Sequence, residues 1–468
     1  MSGLEGFALE GFALPSDVSV DGTVTIATGE GVAIVAPRVT PAWIESIVRS
    51  LAATTTPLRA RPAGAIVDVL GRTGERFLDD GDDLRREALD LLPPSAGVSR
   101  EMARVILDGM AADWTVPRLR HWLEAELTDP RCLDGLIDVG GRRVMAVGPA
   151  LCVQVVSGSV PGVGVNALLR SLAVKAPTLL KPGFGDVVLP VLFARGLREA
   201  DAELADAVAV VYWPGGSVDV ERAALSGAET VVVYGSDDTV TALRALTPAT
   251  ARLVAYRHRI GVAVVGRGAL TDARAPTAAG EVARAVAIFE QRGCVCPHVV
   301  FAEEGGKVDP PAFARLVAEA LEALAEELPA AALPIDEASA VQQLRANAEL
   351  MATAAVGSWH GGSEAAWTVV YDPEARATTA TVGRAVRVAP IEDASSLAQE
   401  LSPIGAHLQT VGVTGLGQRV TAMTEALGRT GASRVVPLHA VSFPPPWWMH
   451  DGRGGLQELV RWVELEEG

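Results

Sequence analysis

A chain of 468 residues with 49% hydrophobic and 21% charged side chains can bury more than one core, which excludes a disordered protein and points to at least two domains. A net charge of −17 repels nucleic acid and anionic lipid, so neither is expected as a partner, although a local basic pocket can still hold an anionic cofactor. Four cysteines (Cys132, Cys152, Cys294, Cys296) are too few for a disulfide scaffold of this size, and a reducing cytoplasm is the expected compartment.

The N-terminal stretch "MSGLEGFALEGFALPSD" has no basic residue, unlike a secretory signal, and its repeated "LEGFA" reads as an amphipathic extension. Residues 41–128 carry helical spacing, opened by a Thr40 cap and Pro41. The segment "VGGRRVMAVGPALCVQVVSG" (139–158) reads as two strands joined at Gly148-Pro149. From 152 to 236 the pattern alternates strand and helix: "CVQVVSG", "VGVNALLRSLAVKA", "TLLKP", "PVLFARGLREAD", "AVAVVYWPGG", "SVDVERAALSGA", "TVVVYGSDD". Such alternation predicts a parallel sheet covered on both faces, with ligands at the Gly- and Pro-rich carboxyl ends of its strands. Residues 252–435 begin a second α/β unit. In it "TAAGEVARAVAIFEQ" is expected to be a helix ending at "CVC", "TATVGRAVRVAP" a strand, "IEDASSLAQELSP" a helix, and the region after the Pro/Trp loop a last helix. The apolar runs are strand-length, too short to span a bilayer.

Three stretches carry candidate chemistry. Gly162, Gly164 and Ala167 match G-x-G-x-x-A between a strand and a helix, a spacing that lets backbone approach a pyrophosphate; alone the match is weak, and a tight structural turn is the alternative. The acidic residue expected at the end of the next strand is replaced by Lys181, a cation suited to a ribose or phosphate. In "YGSDD" Gly235 permits close approach and Ser236 offers a hydroxyl, or the turn is simple helix capping. In "QRGCVCPH" no second ligand cluster accompanies Cys294 and Cys296, so no metal is expected, and C-x-C is a poor match to a redox pair. Two readings stay open from these residues: a nucleophile beside a bystander, or two buried packing thiols.

Together these pieces resemble the aldehyde dehydrogenase superfamily. "LLKP" resembles the family's Lys-Pro strand end, "VVYGSDD" its cofactor turn, and "QRGCVCP" the segment that holds its catalytic cysteine. "VPGVG", "YWPGG", "YRHRI", "LQTVG" and "PPPWWMHDGRGGL…LVRW" are similar to one branch, the acyl-CoA reductases of the bacterial bioluminescence type. The resemblance implies an α/β fold of two open domains, Rossmann-like and catalytic, plus a β-hairpin oligomerisation element. The division it implies is 1–138 (helical part of the cofactor domain), 139–158 (oligomerisation strands), 159–258 (cofactor domain), 259–435 (catalytic domain) and 436–468 (returning tail). It further implies Cys294 as nucleophile and Ser159 in place of the oxyanion asparagine, with Asn166 a weaker alternative. Lys181, Pro182, Gly215, Gly216, Gly235 and Ser236 are then expected at a nicotinamide cofactor, and His258, His298 or Arg292 beside the thiol.

There is no Glu between Glu229 and Glu281, so the base with which aldehyde-oxidising members hydrolyse the acyl-enzyme is missing, as suits a reductase. The implied reaction is reduction of an acyl thioester, from coenzyme A or an acyl carrier protein, by a homo-oligomer. Gly183 and Phe184 stand where NAD-preferring relatives often place a Glu, which favours NADPH, with NADH as the alternative. The rival readings are an acyl-phosphate reductase, a non-acylating dehydrogenase, and a non-catalytic thiol or metal-binding protein.

Overall fold

The computed structural model describes residues 8–27, 33–363, 366–375 and 383–466. It divides into two compact units. The first takes the described residues of Met1–Ala96, Ile106–Arg257 and Pro445–Gly468, and the second those of Gly97–Val105 and His258–Pro444.

The first unit is organised by a six-stranded sheet in the order Arg252–Tyr256, Thr230–Tyr234, Cys152–Val155, Thr178–Lys181, Val208–Val211, Phe12–Ala13. The first five strands are parallel. Counted along the chain from Cys152 their order is 5-4-1-2-3, that of the doubly wound dinucleotide-binding folds. The strands at Cys152–Val155 and Val208–Val211 are buried at every position, which is why they read as unbroken apolar runs. On one face, Ile44, Ile47 and Leu51 of the Pro41–Ala53 helix pack with Val153, Val211, Val231 and Val233. That helix begins as expected, with the Thr40 side chain accepting from the Trp43 amide and Pro41 in the first turn.

The N-terminal repeat is more than an extension. Most of its first copy lies outside the described residues. In its second copy Leu9 is buried, Ala8–Glu10 pairs parallel with Ala33–Pro37, and Phe12–Ala13 adds an antiparallel edge strand to the main sheet. Gly11 donates to the Val35 carbonyl at 2.8 Å, and a side chain there would collide with Ile34. Segment 139–158 holds the two expected strands, Arg142–Val147 and Cys152–Val155, on either side of Gly148-Pro149, but they belong to different sheets. The hairpin is Ile137–Val139 with Arg142–Val147, turning at Gly140-Gly141, both at positive φ. Cys152–Val155 is instead the central parallel strand. The expected last helix is a strand, Arg461–Leu465, antiparallel to Arg142–Val147 and tied to it by Arg142 and Glu464 (Nε to Oε1 2.6 Å). Pairing with the hairpin overrides the helical spacing, helped by the strand-forming Trp462 and Val463.

The second unit holds a seven-stranded sheet in the order Ser358–Gly361, Thr368–Tyr371, Ala385–Ile391, Pro297–Glu303, Ile260–Val265, Leu408–Thr414, Arg434–Pro437, parallel except for the first strand. Its core joins Val262, Val264, Val299, Phe301, Val411 and Leu427. Helix Pro310–Glu327 is capped by Asp309, whose carboxylate accepts from the Ala312 amide at 2.8 Å. Helix Ile335–Thr353 has no counterpart among the expectations; its apolar residues are spread around it rather than gathered on one face. The expected helix at 391–403 breaks into the short turns Ala394–Ser396, Leu397–Glu400 and Ser402–His407, with Pro403 unable to continue a helix. Residues 379–382 of the strand expected at "TATVGRAVRVAP" lie outside the described residues. No helix among the described residues is long and apolar enough to cross a membrane.

Candidate active site

The helix before the CxC ends at Ala287, not at the cysteines. Phe289, Glu290 and Gln291 follow with φ of 59°, 51° and 61°. Three successive side-chain-bearing residues in the left-handed region cost about 1–3 kcal/mol each, so the surroundings must hold them there. The Phe289 ring packs edge-on against Phe443, with centroids 5.2 Å apart. Glu290 is fully buried and paired twice with Arg384, at 2.7 and 2.8 Å. The Gln291 amide nitrogen donates to the Pro297 and Ala385 carbonyls (3.0 and 2.8 Å), and its oxygen accepts from the Ala385 amide at 2.7 Å.

This turn delivers two thiols to different surroundings. Cys294 is half-buried, whereas Cys132, Cys152 and Cys296 are all buried. The Cys296 thiol lies 3.4 Å from the Ile288 carbonyl, and burial pushes its pKa up to about 12. Beneath the turn a Cβ at Gly293 would stand 3.3 Å from both the Cys296 sulfur and the Phe289 ring, a tight fit. Gly261 is needed beside it: a Cβ at Gly261 would stand 2.5 Å from the Cys296 carbonyl and 2.7 Å from that of Val295. Gly261 was not singled out from the sequence, where "RIGVAVV" reads as an ordinary strand.

Cys294 precedes the strand Pro297–Glu303, at the edge where the parallel strands begin. Arg434, the first residue of Arg434–Pro437, belongs to the same edge. Its guanidinium donates to the Val441 and Ala440 carbonyls at 2.7 and 2.6 Å. Burial pulls its pKa down to about 10, and attraction to Cys294 acts the other way. The cation that interacts with the thiol is thus one that sequence reasoning missed. Arg292 instead pairs with Glu337 at 3.0 Å, and His298 is buried in its strand. His258 also precedes a strand at this edge, but its side chain is exposed, and its carbonyl lies 3.5 Å from His407 Nδ1.

The other candidate residues belong to the first unit, around the carboxyl ends of its parallel strands. Ligands bind such sheets where the strand order reverses, here between Cys152–Val155 and Thr230–Tyr234. Ser159 and the Gly235-Ser236 turn follow these two strands. The Ser159 side chain is exposed, with its hydroxyl 2.8 Å from that of Ser157. Asn166 is engaged elsewhere, accepting from the Trp114 indole at 2.7 Å. Ser236 caps the helix Asp237–Leu246 by accepting from the Thr239 amide. Lys181 ends its strand 5.6 Å from the centre of the Tyr212 ring, its pKa lowered by burial, with Glu221 acting in opposition. Pro182 is buried behind it. Gly215 and Gly216 lie on the exposed loop after Val208–Val211; Gly216 has φ 82° and donates to Glu221 at 3.0 Å.

The G-x-G-x-x-A stretch is spent internally. Gly162 and Gly164 donate their amides, at 2.7 and 2.6 Å, to the two carboxylate oxygens of the fully buried Asp186. The acceptor at the start of helix Val163–Ala173 is therefore a side chain of this chain. Burial pushes Asp186 up to about 7 against the pull of those two amides. Nearby, Gly158, Gly183 and Gly185 let two loops touch backbone to backbone: a Cβ on Gly183 would stand 2.1 Å from the Gly158 nitrogen. Their contact fixes the Ser159 loop beside the loop that follows Lys181.

The motif "PPPWWMHDGRGG" docks the tail onto the same sheet. Trp448, His450, Tyr256 and Tyr234 form a stack with centroid spacings of 4.5, 4.4 and 4.6 Å. Each such aromatic contact contributes about 0.5–1.5 kcal/mol beyond its buried area. Arg170 donates to the Tyr234 hydroxyl from one side of the stack, and Arg453 lies over Tyr256. Trp447 packs under Arg118 and against His121. Glu126, buried, accepts from the amides of Gly455, Leu456 and Gln457 at 3.0, 2.7 and 3.2 Å.

The model of the acyl-CoA reductase (LuxC) family matches residues 58–462. The chain is 22% identical over 410 residues to long-chain acyl-protein thioester reductase 2 of Photobacterium leiognathi, covering 86% of this chain and 82% of that protein. It is 23% identical, with the same coverage, to the long-chain acyl-protein thioester reductase of Aliivibrio fischeri. Among solved structures it is similar to an oxidoreductase from Marinobacter aquaeolei (TM-score 0.75, 16% identity, 99% of both chains). It is also similar to an NAD-dependent benzaldehyde dehydrogenase from Corynebacterium glutamicum (TM-score 0.72, 14% identity, 97% of this chain and 98% of that one). The chain therefore belongs to the acyl-CoA reductase (LuxC) family and has the two-sheet α/β fold of the aldehyde dehydrogenases.

Proposed function

We propose that this protein reduces an acyl thioester to an aldehyde through an acyl-Cys294 intermediate. The observation that carries this reading is the half-buried Cys294, alone accessible among four cysteines, on a strained turn in a chain of this family. Cys294, as thiolate, attacks the thioester carbonyl; a carbon–sulfur bond forms and the carbonyl electrons move to oxygen. The oxyanion collapses, the carrier thiolate leaves and takes a proton, and the acyl group remains on Cys294. A nicotinamide cofactor, when bound, would supply the hydride that reduces this acyl-enzyme. The resulting thiohemiacetal collapses to aldehyde, returning the electron pair to the Cys294 sulfur. Arg434 favours the thiolate by the attraction that acts on both members of the pair. The Cys294 backbone N–H is the candidate oxyanion donor.

The first unit fits a nicotinamide dinucleotide. Its strand order places the Gly235-Ser236 turn at the reversal, and Lys181 and Tyr212 at the next strand ends offer a cation and an aromatic face. Asp186 excludes the Gly162–Gly164 turn from phosphate binding, so Lys181, Pro182, Gly215, Gly216, Gly235 and Ser236 are the residues proposed to hold the cofactor. NADPH is the proposed donor, since Gly183 and Phe184 bring no carboxylate to Lys181; the nearby Glu221 works in the opposite sense. Because the curated relatives are named long-chain acyl-protein thioester reductases, a long acyl group on a carrier protein is proposed alongside acyl-CoA. The solvent-facing Trp462 and Val139 of the hairpin sheet make it the proposed contact of a homo-oligomer.

The decisive experiment follows nicotinamide oxidation with acyl-CoA and acyl-carrier-protein series of increasing chain length, each with NADPH and NADH. Aldehyde formation matching nicotinamide oxidation is expected. Failure to turn over any thioester, or full activity of Cys294→Ala, overturns the reading.

A further inference from the structure

We propose that the buried Glu290–Arg384 pair is a positioning clamp that holds the turn before Cys294 in its left-handed form and so fixes the direction in which the thiol is presented. The proposal deepens the assignment of Cys294 as nucleophile and rests on it. Both partners stand on left-handed backbone: Glu290 has φ 51°, and Arg384 has φ 53° directly after Gly383 at 81°. The ion pair thus ties two strained positions, 94 residues apart in sequence, to each other. Arg384 is anchored further by donating to the Leu328 carbonyl at 2.6 Å and the Pro329 carbonyl at 3.3 Å, where helix Pro310–Glu327 ends.

Neither side can relax alone. If residues 289–291 rewound to continue helix Ala275–Ala287, Glu290 would leave Arg384 as an uncompensated buried charge, and Gln291 would give up three hydrogen bonds. A buried ion pair is a weak source of stability compared with apolar packing, so its value here is the conformation it specifies. Gln291 clasps the start of strand Ala385–Ile391 and the Pro297 carbonyl, so the turn is pinned on both sides of the cysteines. Cys294 lies four residues beyond Glu290, and rewinding would displace it.

The test uses the full-length protein and the variants Glu290→Gln, Arg384→Met and Arg384→Lys, with Leu427→Ala as a control core defect in the same unit. The alkylation rate of Cys294 by iodoacetamide is measured across pH, together with kcat, KM for the thioester, and the unfolding temperature. Alkylation reports on Cys294 because the other three thiols are buried. Glu290→Gln and Arg384→Met are expected to lower kcat and the alkylation rate by about tenfold with KM little changed, the effect of one strained residue relaxing. Arg384→Lys, which keeps the charge, should recover part of the loss. Leu427→Ala should lower the unfolding temperature without changing either rate. If Glu290→Gln, the milder change, folds and leaves both rates within about twofold of wild type, the clamp is refuted. Alkylation needs no turnover, so it tests the clamp even if Cys294 proves not to be the nucleophile.

Discussion

Cys294 and Cys296 are separated by one residue and share a strained turn, yet one is presented and the other is enclosed. The same contrast separates two glycine turns of the first unit. Gly235-Ser236 faces outward at the reversal of strand order, whereas Gly162 and Gly164 give their amides to Asp186. Of the two glycine turns, the one with the more suggestive motif is the one consumed by packing. Exposure and partner groups, not residue type, decide which thiol or turn is available for chemistry.

The contrast between the thiols breaks first at Cys294→Ala, expected to lower kcat by at least about a thousandfold because the nucleophile has no substitute. Single-turnover acyl transfer from a radiolabelled thioester checks it, and label on a residue other than Cys294 would count against the scheme. Next comes Arg434→Met. Removing the guanidinium should slow alkylation of Cys294 by about tenfold near neutrality, and the deficit should close at high pH, where the thiol ionises without help. An unchanged pH–rate profile would dissociate Arg434 from the thiolate.

Cys296→Ala should lower stability by about 1–2 kcal/mol, through loss of a buried sulfur, and leave kcat within about twofold. A collapse of activity at unchanged stability would erase the distinction between the two cysteines. The smallest effect on activity is expected at Asp186, where the change falls on stability as a function of pH. Its folded-state pKa, about 7, lies above the ordinary carboxylate value, so the folded protein holds this proton more tightly than the unfolded chain. Its contribution to stability is therefore full below the ordinary carboxylate range and declines as pH rises toward 7. Asp186→Asn should flatten that slope, as measured by urea unfolding at a series of pH values between the two limits.

Much of this was legible because parallel strands buried on both faces leave a plain signature: short Val-rich runs ending in Gly or Pro. The placement of Cys294 on a loop could be read from Gly293 and Pro297. The helix end could not, because "AIFEQ" continues the helical spacing, and much of what holds it out of the helix, Arg384, Ala385 and Phe443, lies roughly a hundred residues or more further on. Arg434 gave no signal for the same reason: its relation to Cys294 arises from strand order. Asp186 was hidden because G-x-G-x-x-A looks the same whether its amides face a ligand or a carboxylate from the next loop. Helical spacing in the tail misled, since Arg461–Leu465 takes its conformation from a hairpin more than three hundred residues earlier.

That last pairing has a consequence for synthesis on the ribosome. The sheet of the first unit is laid down by residues 12 to 256, but Glu126, Tyr234, Tyr256 and Arg142 wait for partners between Trp448 and Glu464. Nearly all of the second unit is made in one uninterrupted run, from His258 to Pro444, before those partners emerge. Apart from the short stretch Gly97–Val105, the unit that starts second has all its residues first, and the opening unit remains unfinished until the strand Arg461–Leu465 has been made.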